Sequence, residues 1–430
     1  MLGESWHLWR SAAVNGGWIL ADKVLRQGLT VLIGAWVARH LGPDQYGVLA
    51  YALALLAFFQ VAAALGADSL LVRDIANQPE QAGEVLGVAL RLRLIAGSVA
   101  WGLAVVAVAA LQGWSHPAVL LIALAGAILV FQPGDLVDLW FQSQSQSRRT
   151  VAARIGAYLI SAGGKVALIL AGAPLWTFAL MVSVEAALCA AGMYLAYRVY
   201  PAPRTWTWSS TIARALLREN WPFLLSGLSV ITYLRIDQVM LEQMMGSGQL
   251  GIYAAMLPLS VAAQVVPMAL MSALSPLVAR SKQQDQRAYE ELLVQVFRLF
   301  GSLGLAASLG IAVLAPWIVP LLYGPAYGPG VPVLMVHAAG NFFAFQGVAQ
   351  GLWLVNERAG MIGMYKSILG ALVSVGANFL LIPRFGLMGA AFSAVATVAA
   401  SAVLVNFLIA PKVAMMQFGF RPARPAPNPR

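Results

Sequence analysis

The sequence predicts an all-α, polytopic membrane protein with about twelve transmembrane helices, built as two six-helix bundles related by a parallel pseudo-two-fold repeat. Three observations predict it: the composition, the spacing of the apolar runs and the placement of the basic residues. Of 430 residues, 60% are hydrophobic and 10% charged, against roughly 25% charged in a soluble domain. Such a chain cannot cover its surface with polar groups, so lipid is its solvent.

The apolar runs are Gly16–Val37, Val48–Ala67, Val85–Leu111, Ala118–Phe141, Val151–Ala173 and Leu175–Tyr197. A second set follows: Trp221–Met244, Gly251–Leu274, Leu292–Val319, Val331–Val355, Ile362–Ile382 and Leu387–Ala410. Each is near or above the roughly 20 residues that span a bilayer as a helix. In lipid, every backbone group must be satisfied within the segment, so runs of this length read as helices.

The basic residues give the topology. With the amino end inside, 21 of the 27 Lys and Arg fall on the inner side, two (Arg39 and Arg384) outside and four within helices. A helix missed early in the chain would destroy that asymmetry. The expectation is a multi-pass protein of the cell inner membrane with both termini cytoplasmic. The net charge of +10 follows from this placement and implies no nucleic-acid partner. The single cysteine, Cys189, excludes an intramolecular disulfide.

The expected domains are an N-terminal bundle over 1–199, a cytoplasmic linker over 200–220, a C-terminal bundle over 221–411 and a tail over 412–430. The linker contains an amphipathic stretch, with Ile212, Leu216 and Leu217 apolar and Arg214 and Arg218 basic, expected to lie at the headgroups. An internal match supports the halves. Leu41-Gly42-Pro43-Asp44-Gln45-Tyr46-Gly47-Val48 recurs 204 residues later as Met245-Gly246-Ser247-Gly248-Gln249-Leu250-Gly251-Ile252.

Several blocks carry a family resemblance. They are Asp22-Lys23-Val24-Leu25-Arg26; Val37-Ala38-Arg39-His40-Leu41-Gly42-Pro43 through Tyr46-Gly47; Leu65-Gly66-Ala67-Asp68; and Val72-Arg73-Asp74-Ile75-Ala76. Later ones are Arg235-Ile236-Asp237-Gln238-Val239-Met240-Leu241, Gly251-Ile252-Tyr253-Ala254-Ala255, Leu322-Tyr323-Gly324-Pro325-Ala326-Tyr327 and the stretch from Asn378 to Ala391. In order and spacing the chain resembles the oligosaccharide (O-antigen-type) flippases, the polysaccharide transporter branch of the multidrug/oligosaccharidyl-lipid/polysaccharide exporter superfamily. The resemblance implies a secondary transporter moving a polyprenyl-diphosphate-linked oligosaccharide to the outer leaflet by alternating access. It implies a coupling ion (proton or sodium), membrane lipid and polysaccharide assembly enzymes as partners. Multidrug and toxin extrusion antiporters share the architecture and are the alternative; the motif blocks favour the flippase.

Charges inside spanning helices are costly and are candidate functional groups. Guanidinium and ammonium groups match phosphate oxygens, which assigns Arg26, Lys165, Arg235 and Lys23 to the diphosphate. Glu185, Asp237, Asp22 and Glu242 are the candidates for ion coupling, Glu185 and Asp237 foremost because a lone buried acid can exchange a proton. The competing reading makes Asp22–Arg26 (i,i+4) and Arg235–Asp237 or Arg235–Glu242 structural ion pairs. Lys165 has no acid within four residues on its own helix. Arg91 and Arg93 lie at the start of the third span, as headgroup attractors or solvated arginines. Asp135 and Asp138 follow a Pro133-Gly134 break in the fourth span, which reads as a hinge with solvated acids beyond it. His337 and Asn341 read as an interhelical hydrogen-bonding pair. No metal set, phosphate loop or nucleophile triad is present, so neither cofactor nor covalent chemistry is expected.

Overall fold

The computed structural model describes residues 2–420 except 145, 147, 201 and 204, with side chains from 27 onward except at 69 and 148. The described chain is helical, and no strand occurs among the described residues. Among the described residues, eleven helices are long and apolar enough to cross a membrane. The first of them, Gln27–Ala64, is two helices joined at Gly42, whose φ of 72° and ψ of 169° break the helical backbone. That makes twelve.

In chain order the helices are α1 (2–41), α2 (43–64), α3 (Asp68–Asn77), α4 (Ala82–Gln112), α5 (Pro117–Ala125) and α6 (Leu136–Ser143). Next come α7 (Arg148–Leu170), α8 (Leu175–Val199), α9 (Ser210–Met245), α10 (Ser247–Val261) and α11 (Val265–Gln284). The last are α12 (Gln286–Tyr323), α13 (Gly330–Asn356), α14 (Gly360–Phe385), α15 (Leu387–Ala399), α16 (Asn406–Ile409) and α17 (Pro411–Gln417). The pairs α5/α6 and α10/α11 each fill one span, broken in the middle.

The repeat seen in the sequence is present in the backbone. Gly246, between α9 and α10, has φ 84° and ψ 171°, matching Gly42 between α1 and α2. A side chain is strained at such φ values, so glycine closes both turns.

The chain forms two compact units, residues 40–251 and residues 1–39 with 252–430. This differs from the linear division at 200–220, because the leading helix of each repeat belongs with the other repeat's remaining five. The cause is local packing. Tyr327 Oη donates to the Ala38 carbonyl at 2.7 Å, tying α1 to the later residues. α9 runs along α2, with Gln243 Nε2 donating to Tyr51 Oη at 3.1 Å and Gly66 pressed against the Leu224 backbone.

The linker also differs from expectation. Helix α9 starts at Ser210, capped by Ser209 Oγ, and runs unbroken to Met245, so the boundary at 220 falls inside it. Residues 205–209 lie extended across α4. Gly83 and Gly87 admit this strand-like segment, since a methyl at either would meet the Thr205 or Thr207 carbonyl oxygen at 2.3 or 2.2 Å. Trp206 Nε1 donates to Tyr197 Oη at 2.7 Å. Leu216 is buried in the core of the 40–251 unit with Leu71, Leu86, Leu136 and Phe141. Protein rather than headgroups covers much of this amphipathic face. The core of the other unit centres on Leu293, Phe297, Phe300, Phe345 and Val413.

Candidate functional site

Within the 40–251 unit, the span α5/α6 is interrupted. After α5 come one turn at Ile128–Phe131 and a 3-10 segment at Gln132–Asp135, containing Pro133. Proline cannot donate to the preceding helical turn, so the backbone tightens there. Irregular backbone at membrane depth persists where it lines a cavity. It does so here: a cavity of about 530 Å³ is lined by Gln60 of α2, Phe131, Gln132 and Asp135 of the break, Lys165 of α7 and Glu185 of α8.

Lys165 Nζ donates to Glu185 Oε2 at 3.0 Å, and Ser161 Oγ donates to the same oxygen at 2.5 Å. Ser161 and Lys165 are one helical turn apart, so both reach one carboxylate across the α7–α8 hairpin. Both charged side chains are partly exposed, at 24% and 32%. The structure therefore joins two residues that the sequence assigns to different tasks. Glu185 is not a lone acid, and Lys165 finds its partner on the next helix.

Beside the cavity, Arg154 bridges Asp135 at 3.3 Å and Asp138 at 2.8 Å. Asp138 is buried and accepts further bonds from Thr150 and Gln142, so it is a structural anchor rather than a solvated acid. Arg93 is also buried and pairs with Asp68 at 2.5 Å, while Arg91 lies over the Trp208 ring. Arg93 is therefore not a solvated arginine, whereas Arg91 is exposed.

The sequence profile described as "polysaccharide biosynthesis protein" matches residues 12–282. The chain belongs to that polysaccharide biosynthesis family. It is 25% identical over 325 residues to the succinoglycan biosynthesis transport protein ExoT of Rhizobium meliloti (strain 1021), a match covering 74% of this chain. It spans 64% of that relative's length. The fold is that of solved transporters. An inward-facing multidrug resistance MATE family transporter of the MOP superfamily aligns with TM-score 0.72 and 18% identity, over 91% of this chain and 96% of that one. The lipid II flippase MurJ, in an inward closed conformation, aligns with TM-score 0.72 and 11% identity, over 93% and 90%. This member of the family is thus a multi-pass membrane protein with the fold of MOP-superfamily transporters.

Of the other predicted residues of this family member, Arg235, Asp237 and Glu242 are not among those that line the cavity. Asp22, Lys23 and Arg26 have side chains outside the described residues. On α9, Arg235 is exposed while Asp237 and Glu242 are buried. The Arg235–Glu242 pair expected from i,i+7 spacing is not formed. Glu242 Oε1 instead accepts from Ser247 Oγ at 2.6 Å across the Gly246 turn, and its Oε2 has no partner among the described residues. Asp237 Oδ1 accepts from the Gln238 amide at 2.8 Å. His337 and Asn341 both reach Ser260, through its Oγ at 2.8 Å and its carbonyl at 3.0 Å. Among the described residues, no group of three His, Cys, Asp or Glu could hold a metal ion.

Sequence reasoning missed two features. Gln60, Phe131 and Gln132 line the cavity; a glutamine next to Pro133-Gly134 inside an apolar run is the signal for it. Lys366 is one of the 21 basic residues expected on the inner side, yet it is buried in α14. Its Nζ donates to Gln350 Oε1, to Asn406 Oδ1 at 3.2 Å and to the Ala402 carbonyl at 3.5 Å. Ala402 lies in a π-helical segment, Ala400–Leu404, which leaves this carbonyl open to side-chain donors.

Proposed function

We propose that the protein is a flippase, a secondary transporter that moves a polyprenyl-diphosphate-linked oligosaccharide from the cytoplasmic to the outer leaflet for surface polysaccharide export. In this reading it sits in the cell inner membrane with both termini cytoplasmic, as the basic-residue asymmetry supports. Alternating access between two repeats carries the ligand, and a proton or sodium gradient drives it.

The observation that carries the proposal is a cavity with charged and amide side chains in its wall, built from a broken spanning helix and a Lys165–Glu185 pair, in a member of a polysaccharide biosynthesis family. Broken helices at the midplane are the usual place for transported ligands. Arg235 supports it from α9: an exposed guanidinium within a spanning helix cannot face lipid cheaply, so it needs water or an anion beside it. The diphosphate is the anion of this ligand, and the reading assigns Arg26 and Lys23 to it as well. Asp22, Glu185, Asp237 and Glu242 remain the acids for ion coupling. The enzymes that assemble the glycan are the partners this role requires.

The testing experiment is a gene deletion followed by mass analysis of the lipid fraction. The flippase reading expects a lipid-linked oligosaccharide to accumulate and a surface glycan to be lost. An unchanged lipid pool with altered drug tolerance would transfer the protein to the multidrug antiporters.

A further inference from the structure

The cavity at the α5/α6 break does not have the chemistry of a diphosphate site. Among its described lining residues Lys165 is the one cation, and its ammonium is already engaged by Glu185 at 3.0 Å. The lining also includes Asp135, which shares Arg154 with Asp138. One cation thus faces two carboxylates in the wall. A diphosphate entering here would meet more negative than positive charge, and would have to take Lys165 from a partner that already holds it. Like charges brought together repel.

The wall suits a hydroxylated, uncharged ligand instead. Two side-chain amides, Gln60 and Gln132, and two carboxylates present donors and acceptors close together. Gln132 Nε2 spends one hydrogen on the Gln60 carbonyl at 3.4 Å, and its Oε1 has no donor among the described residues. An amide oxygen left without a donor costs free energy that a ligand hydroxyl would recover. Phe131, which lines the same space, is 38% exposed and offers an apolar ring face. A sugar ring has both complements: a rim of hydroxyls that donate and accept, and a face of C–H groups that packs on an aromatic ring. At about 530 Å³, the cavity falls within the roughly 300–1,000 Å³ of small-molecule sites. It takes a short run of sugar rings and excludes a long polyprenyl chain.

We propose that this cavity is the sugar subsite of the transporter, with Gln60, Gln132 and Glu185 bonding hydroxyls and Phe131 packing on a ring face. Lys165 then positions Glu185 rather than binding phosphate, and the diphosphate falls to cations outside the cavity, Arg235 first. The assignment rests on the flippase reading and divides its ligand into two separately recognised parts.

The test is equilibrium binding to the purified full-length protein in lipid nanodiscs, with two probes. One is polyprenyl diphosphate carrying no sugar; the other is the lipid-linked oligosaccharide extracted from the deletion strain. Gln132→Ala and Phe131→Ala should each weaken the glycolipid by about tenfold and leave the sugar-free diphosphate unchanged. Arg235→Ala should weaken both probes. Retained binding of the sugar-free probe also shows that each variant is folded. Phe131→Leu, which keeps the apolar bulk, replaces the alanine variant if that one loses its cooperative melt. Equal weakening of both probes by the cavity variants would overturn the sugar assignment in favour of a diphosphate site. Unchanged glycolipid binding would overturn it outright. If the wild-type protein binds neither probe, the flippase reading itself fails and takes the subsite with it.

Discussion

Gly47 and Gly251, 204 residues apart in the two repeats, each close on the turn that leads the other's helix. A methyl at Gly47 would stand 1.8 Å from the Ser247 carbonyl oxygen, and one at Gly251 would stand 1.9 Å from that of Pro43. Pro43 and Ser247 are separated by the same 204 residues. The contact is therefore reciprocal, and the weak sequence match between the two blocks is a packing requirement on both sides.

Gly47→Ala and Gly251→Ala should accordingly each destabilise the protein by about 1–3 kcal/mol, the usual cost of forcing atoms into a packed site. Gly310→Ala is the control, because nothing lies within 4 Å of the added carbon. Thermal melts of purified protein read the difference; equal melting of all three would remove the packing argument.

The Lys165–Glu185 pair predicts a coupled response. Lys165→Met or Glu185→Gln alone leaves one partly buried charge or its hydrogen-bonding partner unmatched, and each should lower stability. The double variant should recover much of the loss, with a coupling energy of about 1 kcal/mol. Additive losses would mean that the 3.0 Å contact contributes nothing to stability.

Lys366 predicts an asymmetry. Lys366→Met should be tolerated, because Gln350, Asn406 and Gln417 remain bonded to one another and to Ala402. Gln350→Leu leaves the buried ammonium short of an acceptor and should cost about 1–3 kcal/mol. The order of the two melting temperatures decides it.

The topology predicts labelling. In a Cys189→Ser background, cysteines at Ser115 and Pro329, both exposed, should react with an impermeant thiol reagent in intact cells. A cysteine at Ser210, also exposed, should react only after the cells are opened. Labelling of the Ser210 position from outside would reverse the orientation.

The twelve helices were legible because each apolar run must span a fixed thickness, and a run of hydrophobic residues states its length directly. The exchange of α1 and α9 between units was not legible, since it depends on contacts such as Tyr327 with Ala38 that no periodicity encodes. The charged residues of the cavity were visible one at a time. Their pairing was not, because Lys165 and Glu185 meet only through the rotation of α7 against α8. Arg235 and Glu242 show the converse: two turns of one helix put them on a common face, yet one is exposed and the other turns to Ser247. The burial of Lys366 was not legible either, because it comes from distant residues, Gln350 and Asn406.

The central claim, movement of a lipid-linked oligosaccharide between leaflets, is tested most directly by reconstitution. Purified protein is placed in vesicles containing the glycolipid extracted from the deletion strain, with an ion gradient imposed. A membrane-impermeant sugar oxidant then reports how much glycolipid reaches the outer leaflet. The account predicts that wild-type protein exposes the inner-leaflet pool, that Arg235→Ala exposes little of it, and that collapsing the gradient slows the movement. Exposure no faster than in protein-free vesicles, with correctly folded protein present, would contradict it.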